Sequence, residues 1–142
     1  VGSLRIKSMD PADQPQIFMN YFSHKRDRQL LVQAIKITRK ILKSDPIQND
    51  ILEEYSPGTQ IVSNAEIEQF LATKGGISYH PVGTCKMGIG SGCVVDFNLN
   101  VHGVKNLRVV DASIMPNITS GNTNAPVIMI AEKAADIILG KG

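Results

Sequence analysis

The alternation of apolar and polar residues near the start of the chain predicts a strand that is followed by a helix. Residues 3–8 alternate strictly, with Leu4 and Ile6 on one face and basic side chains on the other. This period of two is typical of a half-buried strand. After a turn that contains two prolines, Ser23 is expected to cap a helix that continues to about Leu42.

Two more helices are predicted further along the chain. Ser63 and Glu66 have the S-x-x-E spacing of a capping box, and apolar residues follow them at helical spacing until a Lys-Gly-Gly sequence. The last helix is expected to begin at Thr123 or Asn124 and to end at Gly140.

Residues 77–116, which lie between the second and last helices, contain short apolar runs that are typical of strands. The runs "CVVD" and "LRVVD" are separated by turns rich in Gly and Asn. Val109 and Val110 are consecutive, which predicts a strand that is covered on both faces. The 142 residues therefore predict a chain of the size of one domain, of the α+β class.

Composition narrows the classes of function. With 42% hydrophobic residues the chain can bury a core, and its net charge of +2 comes from 15 basic and 13 acidic side chains without a basic run. Nucleic-acid binding is disfavoured, because three Tyr, four Phe and no Trp offer little aromatic surface on which bases could stack.

Cysteine usage and apolar run length bear on the compartment. Cys85 and Cys93 lie among glycines without a disulfide framework, which favours a reducing compartment such as the cytoplasm. The apolar run 127–131 is too short to cross a membrane, so no transmembrane segment is predicted, while peripheral association with a membrane stays open. The chain enters a strand pattern directly from Val1, which leads us to expect a longer parent protein.

The sequence "SYHPVGTCKMG" at 78–88 contains a histidine with several candidate roles: metal ligand, base for a Cys85 nucleophile, acid/base at a flavin, or turn residue. No metal site is predicted, because no C-x-x-C or H-x-x-x-H pair is present. Nothing marks an activated thiol. Pro81 places His80 on a constrained loop that suits a general base, although a loop histidine is more often a surface residue.

A second unusual stretch is "MPNITSGNTNAPV" at 115–127, which is rich in Asn, Ser, Thr and Gly directly before an apolar helix. A helix N-terminus carries unpaired N–H groups and the positive end of the helix dipole, so it suits an anionic or electron-rich ligand edge. The alternative is an ordinary capped loop.

Together these stretches resemble the C-terminal part of the glucose-methanol-choline (GMC) family of FAD-dependent oxidoreductases. "GSLRIKSMDPADQPQIFMNYFSH" resembles the family's entry into the substrate domain, and "YHPVGTCKMG" resembles its catalytic-histidine block. "VVDFNLNVHGVKNLRVVDASIMPNITSGNTNAPVIMIAEKAAD" resembles the block that returns to the FAD domain. The resemblance implies that 1–142 is the C-terminal substrate-binding region, with its final strand and helix on the FAD-domain side. The FAD-binding Rossmann half, with its G-x-G-x-x-G turn, is then expected outside this chain.

The resemblance also implies roles for single residues. His80 matches the family's active-site histidine, which acts on the substrate hydroxyl as hydride leaves for flavin N5. Asn122 matches the second active-site position, where an amide can donate a hydrogen bond to the substrate oxygen.

Four further positions match stretches of the family that contact the cofactor. Asp111 and Ala112 match positions along the ribityl and pyrophosphate groups of FAD, and Thr123 and Asn124 match the stretch at the pyrimidine edge of the flavin ring. The resemblance therefore implies FAD in the full-length protein, whereas the isolated chain is expected neither to hold FAD tightly nor to turn over.

The function implied by the resemblance is oxidation of a primary alcohol, choline-like or other, by proton abstraction and hydride transfer to FAD. The alternative is a non-catalytic substrate-binding or interaction module derived from the same family. The pair His80 and Asn122 favours the enzyme. The implied partner is a small-molecule alcohol. The identity of the electron acceptor (oxygen, a quinone or another protein) stays open. The isolated chain is expected to self-associate through exposed apolar surface.

Overall fold

The computed structural model describes residues 1–141. They form two compact units, Val1–Gly76 and a second unit that begins at Ile77. The predicted α+β class is confirmed, because helices and a small sheet occur together. In chain order the helices and strands of the described part are β1 (Ser3–Arg5), β2 (Gln16–Phe18), α1 (Lys25–Leu42), a 3-10 helix (Ile47–Asp50), α2 (Asn64–Lys74), a 3-10 helix (Ala112–Ile114) and α3 (Asn124–Ile138).

The first unit opens with an antiparallel hairpin in which Leu4 of β1 is paired with Ile17 of β2. The predicted strand over 3–8 is confirmed only for its first three residues. Its predicted half-burial is wrong, since Leu4 is 49% and Ile6 is 88% exposed. The alternating pattern does not correspond to burial here. All residues of the two short strands are exposed within the described structure.

Helix α1 ends at Leu42 as predicted, but its cap is one residue later than predicted. His24, not Ser23, occupies the capping position, and its Nδ1 accepts a hydrogen bond from the backbone N–H of Arg26 at 3.3 Å. The sequence favoured Ser23 because a hydroxyl is the commoner cap. An imidazole nitrogen with a lone pair fulfils the same role.

Helix α2 begins with the predicted capping box. The hydroxyl of Ser63 accepts a hydrogen bond from the Glu66 N–H at 3.2 Å, and the Glu66 carboxylate accepts one from the Ser63 N–H at 2.8 Å. These bonds lower the pKa of Glu66. Helices α1 and α2 pack together, and Val32 and Ile67 are their buried residues.

Hydrogen bonds and an ion pair of Arg39 hold the connection between these helices against α1. The guanidinium of Arg39 donates to both carboxylate oxygens of Glu54, at 2.7 and 2.9 Å. It also donates to the carbonyl groups of Gly58 and Ile61, at 3.0 and 2.8 Å. The hydrogen bond from Arg39 is the main reason why the pKa of Glu54 lies below its ordinary value.

Replacing Glu54 with glutamine should lower the free energy of unfolding by about 1 kcal/mol at neutral pH, the order expected for one charge-assisted hydrogen bond between side chains that are both partly solvated. Because folding depresses the pKa of this carboxyl, its contribution is present above its ordinary pKa and is lost as the pH falls through the folded-state pKa. The difference between the parent and Glu54→Gln should therefore shrink in acid.

Urea unfolding followed by circular dichroism at neutral and acidic pH checks this expectation. Glu53→Gln is the matched control, because Glu53 is exposed and makes no hydrogen bond or ion pair within the described structure. Equal stabilities of the two variants at neutral pH would show that the negative charge of Glu54 contributes nothing.

The second unit has its own apolar core. The buried members of this core are Val95, Leu99, Ile114 and Ala134. The partly buried side chains packed against them are Met87, Val94, Val101, Val109, Val110 and Ile130. The core therefore joins helix α3 to the irregular region that precedes it.

The strands predicted for "CVVD" and "LRVVD" are wrong, because only single bridges form there: Val95 with Met87 and Val101, and Arg108 with Asn100. Val109 and Val110 are half-buried without belonging to a strand. The reason lies in the turns between the runs. Leu99 has a left-handed backbone with φ of 66°, and such a turn interrupts a ladder after one pair of residues.

Helix α3 confirms the third predicted helix. It buries Ala134 on one side, whereas Ile128 is 55%, Met129 59% and Ile138 58% exposed. Self-association of the isolated chain through such a surface stays a prediction. Across the described residues, no helix combines the length and the apolar character that a membrane span requires.

Candidate active site

The histidine predicted to be catalytic lies on a non-helical loop, as its sequence indicated. The backbone of the segment 78–88 is left-handed at Gly83, with φ of 86°, and also at Tyr79, with φ of 57°. A left-handed conformation is uncommon for a residue with a side chain, and it persists only where the surrounding structure holds it. Tyr79 directly precedes His80, so this conformation helps to set the direction in which the imidazole leaves the backbone.

Hydrogen bonds hold this loop against the core of its unit. The backbone N–H of Cys85 donates to the carbonyl of Ser113 at 3.0 Å, and that of Met87 donates to the carbonyl of Ile114 at 2.8 Å. Ile114 is itself buried in the core. A loop anchored to buried backbone can present a side chain with little freedom to move.

The central contact of the site joins His80 to Thr123 across 43 residues of sequence, with 2.7 Å between Nδ1 and Oγ1. Thr123 is only 7% exposed, and His80 is half-buried. The other ring nitrogen, Nε2, has no hydrogen-bond partner among the described residues. It is not sealed off, since no buried side-chain nitrogen or oxygen of this part lacks a partner. Nε2 is therefore the ring nitrogen of His80 that is left open to solvent.

The polar stretch before α3 presents backbone donors, as predicted for it. Thr123 is the residue before the first turn of the helix, but its side chain caps nothing. The N–H groups of Asn124 and Ala125 have no partner within the described residues. Asn122 precedes Thr123 directly and is exposed. Amide and backbone donors thus lie next in sequence to the residue that contacts His80.

Asp111 and Ala112 lie at a turn and do not contact His80 through a hydrogen bond. The Asp111 Oδ1 atom accepts a bond from the Ser113 N–H at 2.7 Å and caps the short 3-10 helix that starts at Ala112. Asp111 is exposed, and its other carboxylate oxygen has no partner in the described chain. These residues are connected to the site through Ser113, whose carbonyl anchors the His80 loop.

Sequence reasoning missed the contact of the Thr123 side chain with His80, because it offered Thr123 as a possible helix cap and matched it to the stretch at the pyrimidine edge of the flavin. A signal was nevertheless present. Pro126 is the third residue of α3, and proline has no N–H to offer to a capping hydroxyl. A threonine that has lost this usual partner is free to bond elsewhere, and here it bonds to His80.

Two of the other reactive side chains of this unit, those of Asp96 and His102, are engaged in hydrogen bonds, whereas the two cysteines are free. Cys85 and Cys93 are free and half-buried. Asp96 accepts hydrogen bonds from Asn100, which lower its pKa, and His102 contacts the Gly88 carbonyl at 2.9 Å. Within the described residues, His, Cys, Asp and Glu form no group of three that could hold a metal ion.

The sequence matches the profile of the GMC oxidoreductase family over residues 1–131. It is 47% identical over 140 residues to the oxygen-dependent choline dehydrogenase of Klebsiella pneumoniae (strain 342), which covers 99% of this chain and 25% of that protein. The same enzyme from Escherichia coli O157:H7 gives the same identity and coverage. The chain thus spans about a quarter of the length of these relatives.

Solved structures give a consistent result. Pyridoxine 4-oxidase from Mesorbium loti is 40% identical with a TM-score of 0.85, over 94% of this chain and 26% of that one. An FAD-dependent oxidoreductase from Chaetomium thermophilum is 27% identical with a TM-score of 0.86, over 99% and 24%. A fungal aryl-alcohol oxidase is 30% identical with a TM-score of 0.81, over 99% and 23%. The profile match and these similarities show that the chain belongs to the GMC oxidoreductase family.

Proposed function

We propose that this chain supplies the substrate side of the active site of an FAD-dependent oxidoreductase that oxidises a primary alcohol. The observation that carries the proposal is the environment of His80. Its Nδ1 is bonded to the buried hydroxyl of Thr123, whereas its Nε2 is accessible and has no partner in the described chain. A histidine with one nitrogen fixed and the other available has the arrangement that a general base requires.

The relatives support an alcohol as the substrate. The curated relatives are choline dehydrogenases, and one of the similar structures is an aryl-alcohol oxidase. Choline is a primary alcohol, so a choline-like substrate is the first to test. The sequence identity of 47% to the choline dehydrogenases favours choline over the aryl alcohols.

In the proposed mechanism, Nε2 of His80 takes the proton of the substrate hydroxyl as the C–H bond breaks. Without this transfer, positive charge would accumulate on the carbinol carbon, so the base lowers the barrier. The side-chain N–H of Asn122 donates a hydrogen bond to the oxygen as negative charge develops on it. Loss of the hydroxyl proton and of one hydrogen with two electrons from carbon converts the alcohol into an aldehyde.

FAD, when bound, supplies the acceptor for the hydrogen and the electron pair that leave the carbon. The residues present fit one edge of such a group. The unpartnered N–H groups of Asn124 and Ala125 can bond the electron-rich edge of a flavin, where the α3 dipole also favours negative charge. The outward oxygen of Asp111 can accept from a ribityl hydroxyl. We place the Rossmann half, which would hold the ADP part, outside residues 1–142.

The isolated 142-residue chain should not retain FAD, because the N–H groups of α3 and Asp111 supply contacts for only a part of the cofactor. The expected result is a colourless protein after incubation with excess FAD and desalting. The measurement is the visible absorbance per mole of chain. A tightly bound equivalent of flavin would contradict our division of the cofactor site.

Expression of the full-length protein tests the proposed function itself. The preparation should contain flavin and should oxidise choline, or a related primary alcohol, in the presence of an artificial electron acceptor. A protein that binds flavin and alcohol without turnover would instead support a non-catalytic module derived from this family. The pair His80 and Asn122 is the reason why we favour the enzyme.

A further inference from the structure

We infer that Thr123 is a positioning residue for His80, whose hydroxyl accepts a hydrogen bond from protonated Nδ1 and so leaves the lone pair of the imidazole on Nε2. The inference rests on the proposed function, because it assigns to the base a partner that keeps Nε2 able to accept the substrate proton. It gives the Thr123 side chain a role separate from that of its backbone at the start of α3.

The first support is the rigidity of Thr123. Its carbonyl accepts a hydrogen bond from the N–H of Val127 at 3.0 Å, which ties it to the first turn of α3. Its side chain is buried and, being β-branched, has few allowed rotamers. Helix α3 in turn packs its buried Ala134 into the core. The hydroxyl is therefore held at a fixed point relative to the anchored His80 loop.

The second support is that the hydroxyl is not used as a helix cap. Threonine before a first turn ordinarily accepts a bond from the second or third N–H of the helix. At Thr123 no such bond forms, and Pro126 provides no N–H in the third position. The only side-chain hydrogen bond of Thr123 in the described chain is the one to Nδ1 of His80, at 2.7 Å.

The chemistry of imidazole explains why this bond matters. A neutral imidazole has one N–H and one lone pair, and only the nitrogen with the lone pair can accept a proton. A hydroxyl can donate or accept, so the 2.7 Å contact fits either tautomer. The role of base requires the tautomer in which Nδ1–H donates to Thr123 Oγ1 and the lone pair lies on Nε2. After Nε2 has taken the substrate proton, Nδ1–H still donates to the same oxygen. The bond thus serves both protonation states of His80 without reorganisation.

Substitution of Thr123 in the full-length holoenzyme tests the inference. Thr123→Val removes the hydroxyl with little change of shape and should slow flavin reduction by alcohol about tenfold, the lower end of the range found when a partner that orients a metal-bound histidine is lost. Thr123→Ser retains the hydroxyl and should restore a rate near that of the parent. Thr84→Val is the control, since Thr84 is exposed on the His80 loop and makes no hydrogen bond in the described chain.

A second readout does not depend on activity. In protein carrying isotope-labelled histidine, the nitrogen NMR shifts of His80, assigned by comparison with His80→Ala, report which ring nitrogen carries the proton. We expect protonated Nδ1 in the parent and in Thr123→Ser, and a mixture of tautomers in Thr123→Val. Flavin content and circular dichroism should be equal in all variants, which separates positioning from loss of fold.

The possible failures can be told apart. If none of the alcohols tested reduces the flavin of the parent protein, the proposed function fails. The tautomer of His80 can still be read from the nitrogen NMR spectrum. If the parent is active but Thr123→Val is as fast, or if Nε2 carries the proton in the parent, the inference about Thr123 is overturned. An equal loss of rate in Thr123→Ser and Thr123→Val would also overturn it, because the hydroxyl would not be the relevant group.

Discussion

Replacing His80 with alanine should lower the rate of alcohol oxidation by the full-length protein by about 10²- to 10⁴-fold, the usual range for the loss of a general base. The physical reason is that the hydroxyl proton must leave as the C–H bond breaks. Within the site described here, the accessible Nε2 of His80 is the atom suited to receive it. The effect should fall on kcat more than on KM, because proton transfer belongs to the transition state.

The measurement is steady-state turnover with choline and an artificial acceptor, normalised to bound flavin. His102→Ala is the matched control, since His102 lies in the same unit but contacts the Gly88 carbonyl and not Thr123. It should retain turnover close to that of the parent. Comparable activities of His80→Ala and His102→Ala, at equal flavin content, would remove His80 from the mechanism.

Replacing Asn122 with alanine should cost about 10²- to 10³-fold in kcat, the range found when one donor to a developing oxyanion is removed. Asn122 is exposed directly before Thr123. In the proposed mechanism its amide donates to the substrate oxygen. The flavin should stay bound, because the side chain is not assigned a role in holding it.

Asn117→Ala provides the control for this substitution, since Asn117 is an exposed asparagine in the same polar stretch. Turnover of this control should be close to that of the parent. Asn122→Asp is informative as well, because a carboxylate beside developing negative charge should be at least as harmful as alanine. Full activity of Asn122→Ala would show that the substrate oxygen is stabilised by another group.

Local signals explain which elements could be predicted from the sequence. The capping box at Ser63, the end of α1 at Leu42 and the final helix are encoded within a few residues each. The constrained loop of His80 also follows from local chemistry, because Pro81 and the nearby glycines exclude helix. For these elements the pattern and the structure agree.

Elements that depend on distant partners were predicted less well. Apolar runs such as "LRVVD" predict strands, yet a strand also needs a partner in register. Here Arg108 forms a single bridge with Asn100 before the chain turns away. The half-burial predicted for the strand at Leu4 was wrong for another reason. The strand pairs in a hairpin, but nothing in the described structure buries it. The spacing of apolar residues along the chain indicates neither of these outcomes.

The candidate site shows the same division. The sequence resemblance selected His80, Asn122 and Thr123, and the structure brings His80 and Thr123 into contact. That contact spans 43 residues, so no local spacing could indicate it. Only the proline at position 126, which removes one of the two N–H donors that a capping threonine could use, gave a local sign that the hydroxyl bonds elsewhere.

The most direct test of the central claim is anaerobic mixing of the full-length protein with choline, pyridoxine and an aryl alcohol, with the oxidised flavin absorbance followed in time. We predict that choline, or a related primary alcohol, bleaches the flavin of the parent protein in a single exponential phase. The same alcohol should bleach the flavin of His80→Ala about 10²- to 10⁴-fold more slowly. Two results would contradict the assignment of this chain as the alcohol-oxidising side of the site. The flavin of the parent could stay oxidised with every alcohol, or the flavin of His80→Ala could be reduced as fast as that of the parent.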